Sequence, residues 1–130
     1  MKRLRKERGE AAVAELCLKT IRTAGASRVV VDGIRSMSEV EAFRKAADVI
    51  LIAVHASRRR RFALLKERGR RDDPLSYGMF LEREERELRV GIGNAIALAD
   101  EIVSNERATP EKLAAKIVEA VERWVEEDAP

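Results

Sequence analysis

Asp32 and Arg35 close the run Val29-Val30-Val31, with only Gly33 and Ile34 between them. An acid and a base delivered together at the end of an apolar run have two readings. Asp32 can simply face water in a tight turn, or the pair can belong to an anion site. A second group of candidates fills "SRRRRFALLKERGRRDDP": Arg61 and Arg68 share a helix face with Leu65 at i, i+4, i+7, and Arg70 and Arg71 follow on a polar loop. A guanidinium is always charged and presents a planar fork that matches phosphate oxygens, so arginines gathered around a loop suit phosphate clamping. The plainer alternative is a solvated face ion-paired to Asp72, Asp73 and the Glu-rich helix beyond. A third group, Arg83 and Arg86, stands among Glu82, Glu84, Glu85 and Glu87, where the plainer alternative is an ion-paired surface helix.

These residues must be held by a framework, and hydrophobic periodicity supplies it. A helix is predicted from about Leu4 to Thr23, ended by Gly25. Val29 to Val31 reads as a short strand covered on both faces. Ser36 and Glu39 form a capping box that opens a helix over roughly 38 to 46. The clearest strand is predicted from about Val49 to His55. Ser57 then caps a helix that stops at Gly69, and the segment Gly69 to Ser76 reads as a mobile loop. A charged helix through Phe80 and Leu88 is broken at Gly91 and Gly93 and followed by a short helix, "NAIALAD". "EIVS" reads as a third strand, and Thr109-Pro110 opens the last helix, which runs through Trp124. The alternation implies an α/β fold: one domain over 1–130, with about three parallel strands and helices on both faces. In such sheets ligands sit outside the carboxyl ends of the strands. Asp32–Arg35, His55–Ser57 and Ser104–Asn105 are the segments delivered there.

Composition narrows the function classes. The 130 residues carry a net charge of +3 and include 45% hydrophobic and 38% charged residues. Glutamine is absent and Asn94 and Asn105 are the only asparagines, a bias that resembles hyperthermophile composition. The small positive excess and 4% aromatic content disfavour nucleic-acid binding, which draws on basic grooves and stacking rings. No stretch approaches a membrane span, and the basic start is not followed by the apolar segment of a signal peptide. Cys17 stands alone and reads as a packed thiol in a reducing compartment, so a cytoplasmic location is expected.

The strings "VVVDGIRS", "VHAS…RF…RGRRDDP", "FLEREERELRVGIGNAIALAD" and "EIVSNE" resemble, in order and spacing, an uncharacterised archaeal family of P-loop nucleotide-kinase-like proteins, similar to dephospho-coenzyme A kinases and adenylate kinases. The resemblance covers roughly Leu4 to Trp124. It implies a three-layer P-loop-kinase-like sheet and transfer of a phosphoryl group from Mg2+-bound ATP to a nucleoside phosphate or similar small molecule. By the same resemblance, Asp32 would help hold Mg2+ and Arg35 the acceptor phosphate. Arg61, Arg68, Arg70, Arg71, Arg83 and Arg86 would contact phosphates around a lid at 69–76, and Asn105 would lie near the base-binding loop. The family's G-x-x-x-x-G-K-[ST] loop does not occur here: the seven glycines stand at 9, 25, 33, 69, 78, 91 and 93, and none precedes a lysine. The expectation is therefore a chain that starts after the first strand and P-loop, whether as a short reading frame, a fragment or a degenerate homologue. Such a chain is expected to be inactive alone and to associate with copies of itself. The alternative function is a non-catalytic anion- or nucleotide-binding or oligomeric interaction module.

Overall fold

A computed structural model describes Gly9 and residues 11–127. The expected beginning of the first helix at Leu4 lies outside the described residues. In chain order the elements are α1 (Ala12–Ala24), α2 (Met37–Arg44), β1 (Ile52–His55), α3 (Arg58–Arg68), α4 (Tyr77–Val90), α5 (Ile92–Ala97), β2 (Glu101–Ser104) and α6 (Pro110–Glu127). The fold is mixed α/β, with a small parallel pair of strands. The chain divides into two compact units, one running up to Val49 and including Glu87–Ala97, the other comprising Ile50–Arg86 and the chain from Leu98 onward.

In the first unit, α1 packs on α2 and α2 on α5. Ala12, Ala14, Val40, Phe43 and Ala95 form its buried apolar set. α1 stops where Gly25 turns left-handed. The start of α2 follows from the Ser36–Glu39 pair: the buried Glu39 carboxylate accepts the backbone N–H groups of Arg35 at 2.8 Å and Ser36 at 3.2 Å. At Gly91, φ is +115° and the side-chain position would lie 3.6 Å from Ser36 Cβ and 3.8 Å from the Arg35 carbonyl. These distances are ordinary van der Waals contacts, so it is the positive φ that favours glycine here, at the break between α4 and α5.

The segment Val29–Val31 departs from expectation. It forms no strand, and Val30 is 90% exposed. A β-branched run supplies propensity, but a strand exists only where a neighbouring backbone takes its hydrogen bonds, and among the described residues none does. The sheet therefore has two strands among the described residues, not about three.

In the second unit, β1 and β2 pair in parallel with Ile52 opposite Glu101 and His55 opposite Ser104. Both ends are fastened. At the entry, Leu51 N–H donates to Asp100 Oδ2 at 2.7 Å and the Leu51 carbonyl accepts Asp100 N–H at 2.8 Å. At the exit, Asn105 N–H donates to the His55 carbonyl at 2.8 Å. Register partners point to the same side, so each face combines one buried residue (Val103 or Ala53) with one about half exposed (Val54 or Ile102). α6 packs on β2, where Trp124 Nε1 donates to Glu101 Oε2 at 2.9 Å and Arg123 pairs with the same carboxylate. Phe80, 2% exposed, anchors α4 against α3 through Phe62, whose ring lies 5.2 Å from both Phe80 and Tyr77. Among the described residues no helix is long and apolar enough to cross a membrane.

Candidate functional site

Asp32 and Arg35 lie in the first unit, on the loop that enters α2. Gly33 adopts φ +86° between them. Arg35 is fixed at its backbone by Glu39 and at its side chain by Glu87 Oε1, 3.5 Å from Nη1. Asp32 is exposed and makes no ion pair among the described residues. Its carboxylate thus offers one hard oxygen ligand. Mg2+ typically takes only one or two carboxylates from a protein, filling its octahedron with phosphate oxygens and water. Among the described residues no group of three His, Cys, Asp or Glu side chains could cage a metal.

The remaining sequence-predicted residues, Arg61, Arg68, Arg70, Arg71, Arg83, Arg86 and Asn105, belong to the second unit. α3 starts there because Ser57 Oγ accepts the Arg60 N–H, and it ends where Gly69 turns left-handed. That places the arginines of α3 opposite the carboxylates that follow. Arg61 Nε donates to Glu84 Oε1 at 2.8 Å, Nη2 reaches the same oxygen, and Nη1 donates to the Ala56 carbonyl. Arg58 Nε donates to the other Glu84 oxygen at 3.0 Å.

One turn of the chain further on, the loop predicted as a mobile lid is organised around Asp73. This residue is only 6% exposed. Its carboxylate accepts Arg68 Nε at 2.9 Å and Arg68 Nη2, takes the Arg70 N–H at 2.9 Å, and has Arg83 Nη1 at 3.7 Å. The hydrogen bonds from Arg68 lower the Asp73 pKa from the ordinary 3.8 to about 2, with the Arg70 N–H and the charges of Arg68 and Arg83 adding to the effect and burial opposing it. The Arg68 guanidinium is correspondingly held further above its ordinary value, chiefly by its hydrogen bond to Asp73. Arg70, Arg71 and Arg86 are exposed and form no ion pair among the described residues. The tip of the loop carries Leu75, 87% exposed.

At the carboxyl edge of the strands, Asn105 is placed by its backbone contact to His55. The residue after it, Glu106, was not singled out by sequence. Its carboxylate accepts the Ser57 N–H at 2.6 Å and the Ser57 hydroxyl at 2.7 Å, contacts that lower its pKa, helped by the nearby charges of Arg60 and Arg107. Beside it lies a cleft of about 420 Å³ lined by Ser104, Glu106, Arg107, Ala108, Lys112 and Lys116. The lysines were also missed, although two like charges at i, i+4 on α6 are a mildly unfavourable arrangement legible in the sequence.

No family model matches the chain. Comparison with curated proteins is more informative. A UPF0200 protein of Methanocaldococcus jannaschii is 48% identical over 108 residues, covering 82% of this chain and 55% of that protein. A UPF0200 protein of Thermococcus kodakarensis is 47% identical over 108 residues, covering 79% and 58%. One from Thermococcus onnurineus is 42% identical over 130 residues, covering 96% of this chain and 70% of that protein. The chain thus spans little more than half the length of the first two relatives. With identity of this level across nearly its whole length to the third, the chain belongs to the UPF0200 family of archaeal proteins.

Proposed function

We propose that the chain is the acceptor-and-lid part of a nucleotide-kinase-like phosphotransferase, built on a three-layer P-loop-kinase-like arrangement. The observation that carries this reading is the convergence of Arg68 from α3 and Arg83 from α4 on one carboxylate, Asp73, within the lid loop. Two guanidinium groups from separate helices aimed at one oxyanion form an arrangement that also takes a phosphoryl group. In this reading Asp73 stands in for ligand oxygens. Arg61, Arg70, Arg71 and Arg86 add phosphate contacts around the lid, Asp32 supplies an oxygen ligand to Mg2+ carried by ATP, Arg35 holds the acceptor, and Asn105 borders the base. Catalysis of this type is positioning and charge neutralisation. Within these 130 residues there is no glycine-rich loop to fix the donor phosphates, so the chain on its own binds and does not turn over.

The test uses the purified chain with ATP and either nucleoside monophosphates or dephospho-coenzyme A. Expected are saturable, salt-sensitive binding of the phosphorylated acceptor, weakened in Arg68→Gln and Arg83→Gln, and no ATP consumption near the ~1 s⁻¹ low end of kinases. Absence of phosphate-dependent binding at millimolar ligand would defeat the reading. So would turnover at that rate abolished by Asp32→Asn, because it would require a donor site within these residues.

A second reading is a non-catalytic interaction module. Arg61 favours it, because all its donors that make contacts are spent on Glu84 and the Ala56 carbonyl.

A further inference from the structure

Most arginines of the second unit that face a carboxylate are paired with it, as Arg58, Arg61, Arg68, Arg83 and Arg123 show. The cleft beside β2 is different. Arg107, Lys112 and Lys116 line it, and none of the three forms an ion pair among the described residues. The carboxylates nearest in sequence are engaged elsewhere. Glu106 is bound by the Ser57 N–H and hydroxyl. Glu111 takes its own N–H and the Thr109 hydroxyl at the start of α6. Glu119, one turn beyond Lys116, pairs with Arg123 at 3.1 Å. Three cations therefore face one cleft with a single ionised carboxylate, Glu106, on its wall. The Ser104 hydroxyl adds a neutral donor, and the amino end of the 18-residue helix α6 adds its partial positive charge.

We propose that this cleft is a binding site for the diphosphate or triphosphate group of a small molecule, held by Arg107, Lys112 and Lys116 with Ser104 as a hydrogen-bond donor. The charge excess matches a multiply charged anion better than a carboxylate ligand. The volume of about 420 Å³ exceeds what one phosphate fills. The site rests on residues other than those of the lid loop and stands or falls separately from the phosphotransferase reading.

The experiment is an NMR titration of the whole chain with tripolyphosphate, following backbone amides, with ATP as a parallel arm. A saturable set of shifts at Ser104, Arg107, Ala108 and Lys112 is expected, and it should persist in Arg68→Gln/Arg83→Gln, whatever shifts arise over Gly69 to Arg86. Lys112→Gln/Lys116→Gln should weaken binding by about tenfold or more, since charge-assisted hydrogen bonds contribute on that order. Both lysines are exposed, so the fold should persist, and Lys112→Arg/Lys116→Arg should restore affinity. Lys19→Gln/Arg22→Gln removes the same charge from α1 and should leave binding unchanged. ATP binding tighter than tripolyphosphate would identify a nucleotide as the source of the phosphates, whereas equal affinity would identify the phosphate chain alone. Unsaturable shifts spread over all basic surfaces, or equal weakening in the α1 control, would overturn the site.

Discussion

Arg61 and Glu84, 23 positions apart in sequence, meet with Nε donating to Oε1 at 2.8 Å, and Arg58 holds the other carboxylate oxygen. A single acidic residue thus fastens the first turn and a half of α3 to the middle of α4. Glu84→Gln keeps the shape but removes the charge that both arginines face. Because Arg61 and Arg58 are partly solvated, the expected cost is roughly 1–2 kcal/mol, below that of a fully buried pair. Urea unfolding checks this, and an unchanged midpoint would show the pairing to be energetically idle.

Asp73 gives a pH dependence with a definite sign. Its folded pKa of about 2 lies below the ordinary 3.8. A carboxyl group with a depressed folded pKa contributes stability that is complete above the unfolded value and is lost as pH falls toward the folded one. Asp73→Asn should therefore be less stable than the parent at pH 7, with the gap closing between about pH 4 and pH 2. Thermal melts across that interval measure it, and a constant gap would contradict the assignment.

The loop 69–76 should not exchange uniformly. Arg70 N–H is held by the Asp73 carboxylate and Asp73 N–H by the Arg70 carbonyl, each at 2.9 Å. Hydrogen exchange should be slow at these two amides and fast at Arg71, Asp72 and Leu75. In Asp73→Ala both protected amides should become fast. Uniformly fast exchange in the parent would instead match the mobile loop expected from sequence.

Much of the framework was legible because its signals are local. The S-x-x-E box, the Ser57 cap and the glycine after Arg68 each act within four residues; α2 and α3 begin and end, α4 ends and α6 begins, close to the predicted places. β1 proved shorter than Val49–His55 because pairing with β2 extends only from Ile52. Val29–Val31 was misjudged because strand formation depends on a neighbour, which composition does not reveal. The plainer alternative named Asp73 and the Glu-rich helix as partners of these arginines, and the structure pairs Arg68 with Asp73 and Arg61 with Glu84; which arginine meets which carboxylate was not legible. The Arg61–Glu84 pairing is set by how two helices pack, and periodicity along each helix is silent on that.

Association is a further expectation. The outer backbone edges of β1 and β2 have no strand partner among the described residues, and Val54 and Ile102 are exposed on its faces. Exposed edges with apolar neighbours favour pairing between copies. Light scattering should give a mass above 14.6 kDa that rises with concentration. A concentration-independent monomer would refute it.

Each β1–β2 register pair joins backbone positions separated by the same interval as Leu51 and Asp100, 49 residues. Bringing such distant points together costs chain entropy of about 3.5 kcal/mol by the logarithmic loop-closure relation. By contrast, Phe62 and Phe80 meet across a much shorter stretch. The order of assembly follows: the α3–α4 hairpin can form while the chain is otherwise open, and the sheet is a late event that rewards prior collapse. Rate measurements on point variants should show this asymmetry, with Phe80→Leu slowing folding and Val103→Ala mainly speeding unfolding. The reverse pattern would make the strands the nucleus. A late sheet also means that the carboxyl edge, with His55, Ser57 and Asn105, takes its final geometry only in the last step of folding.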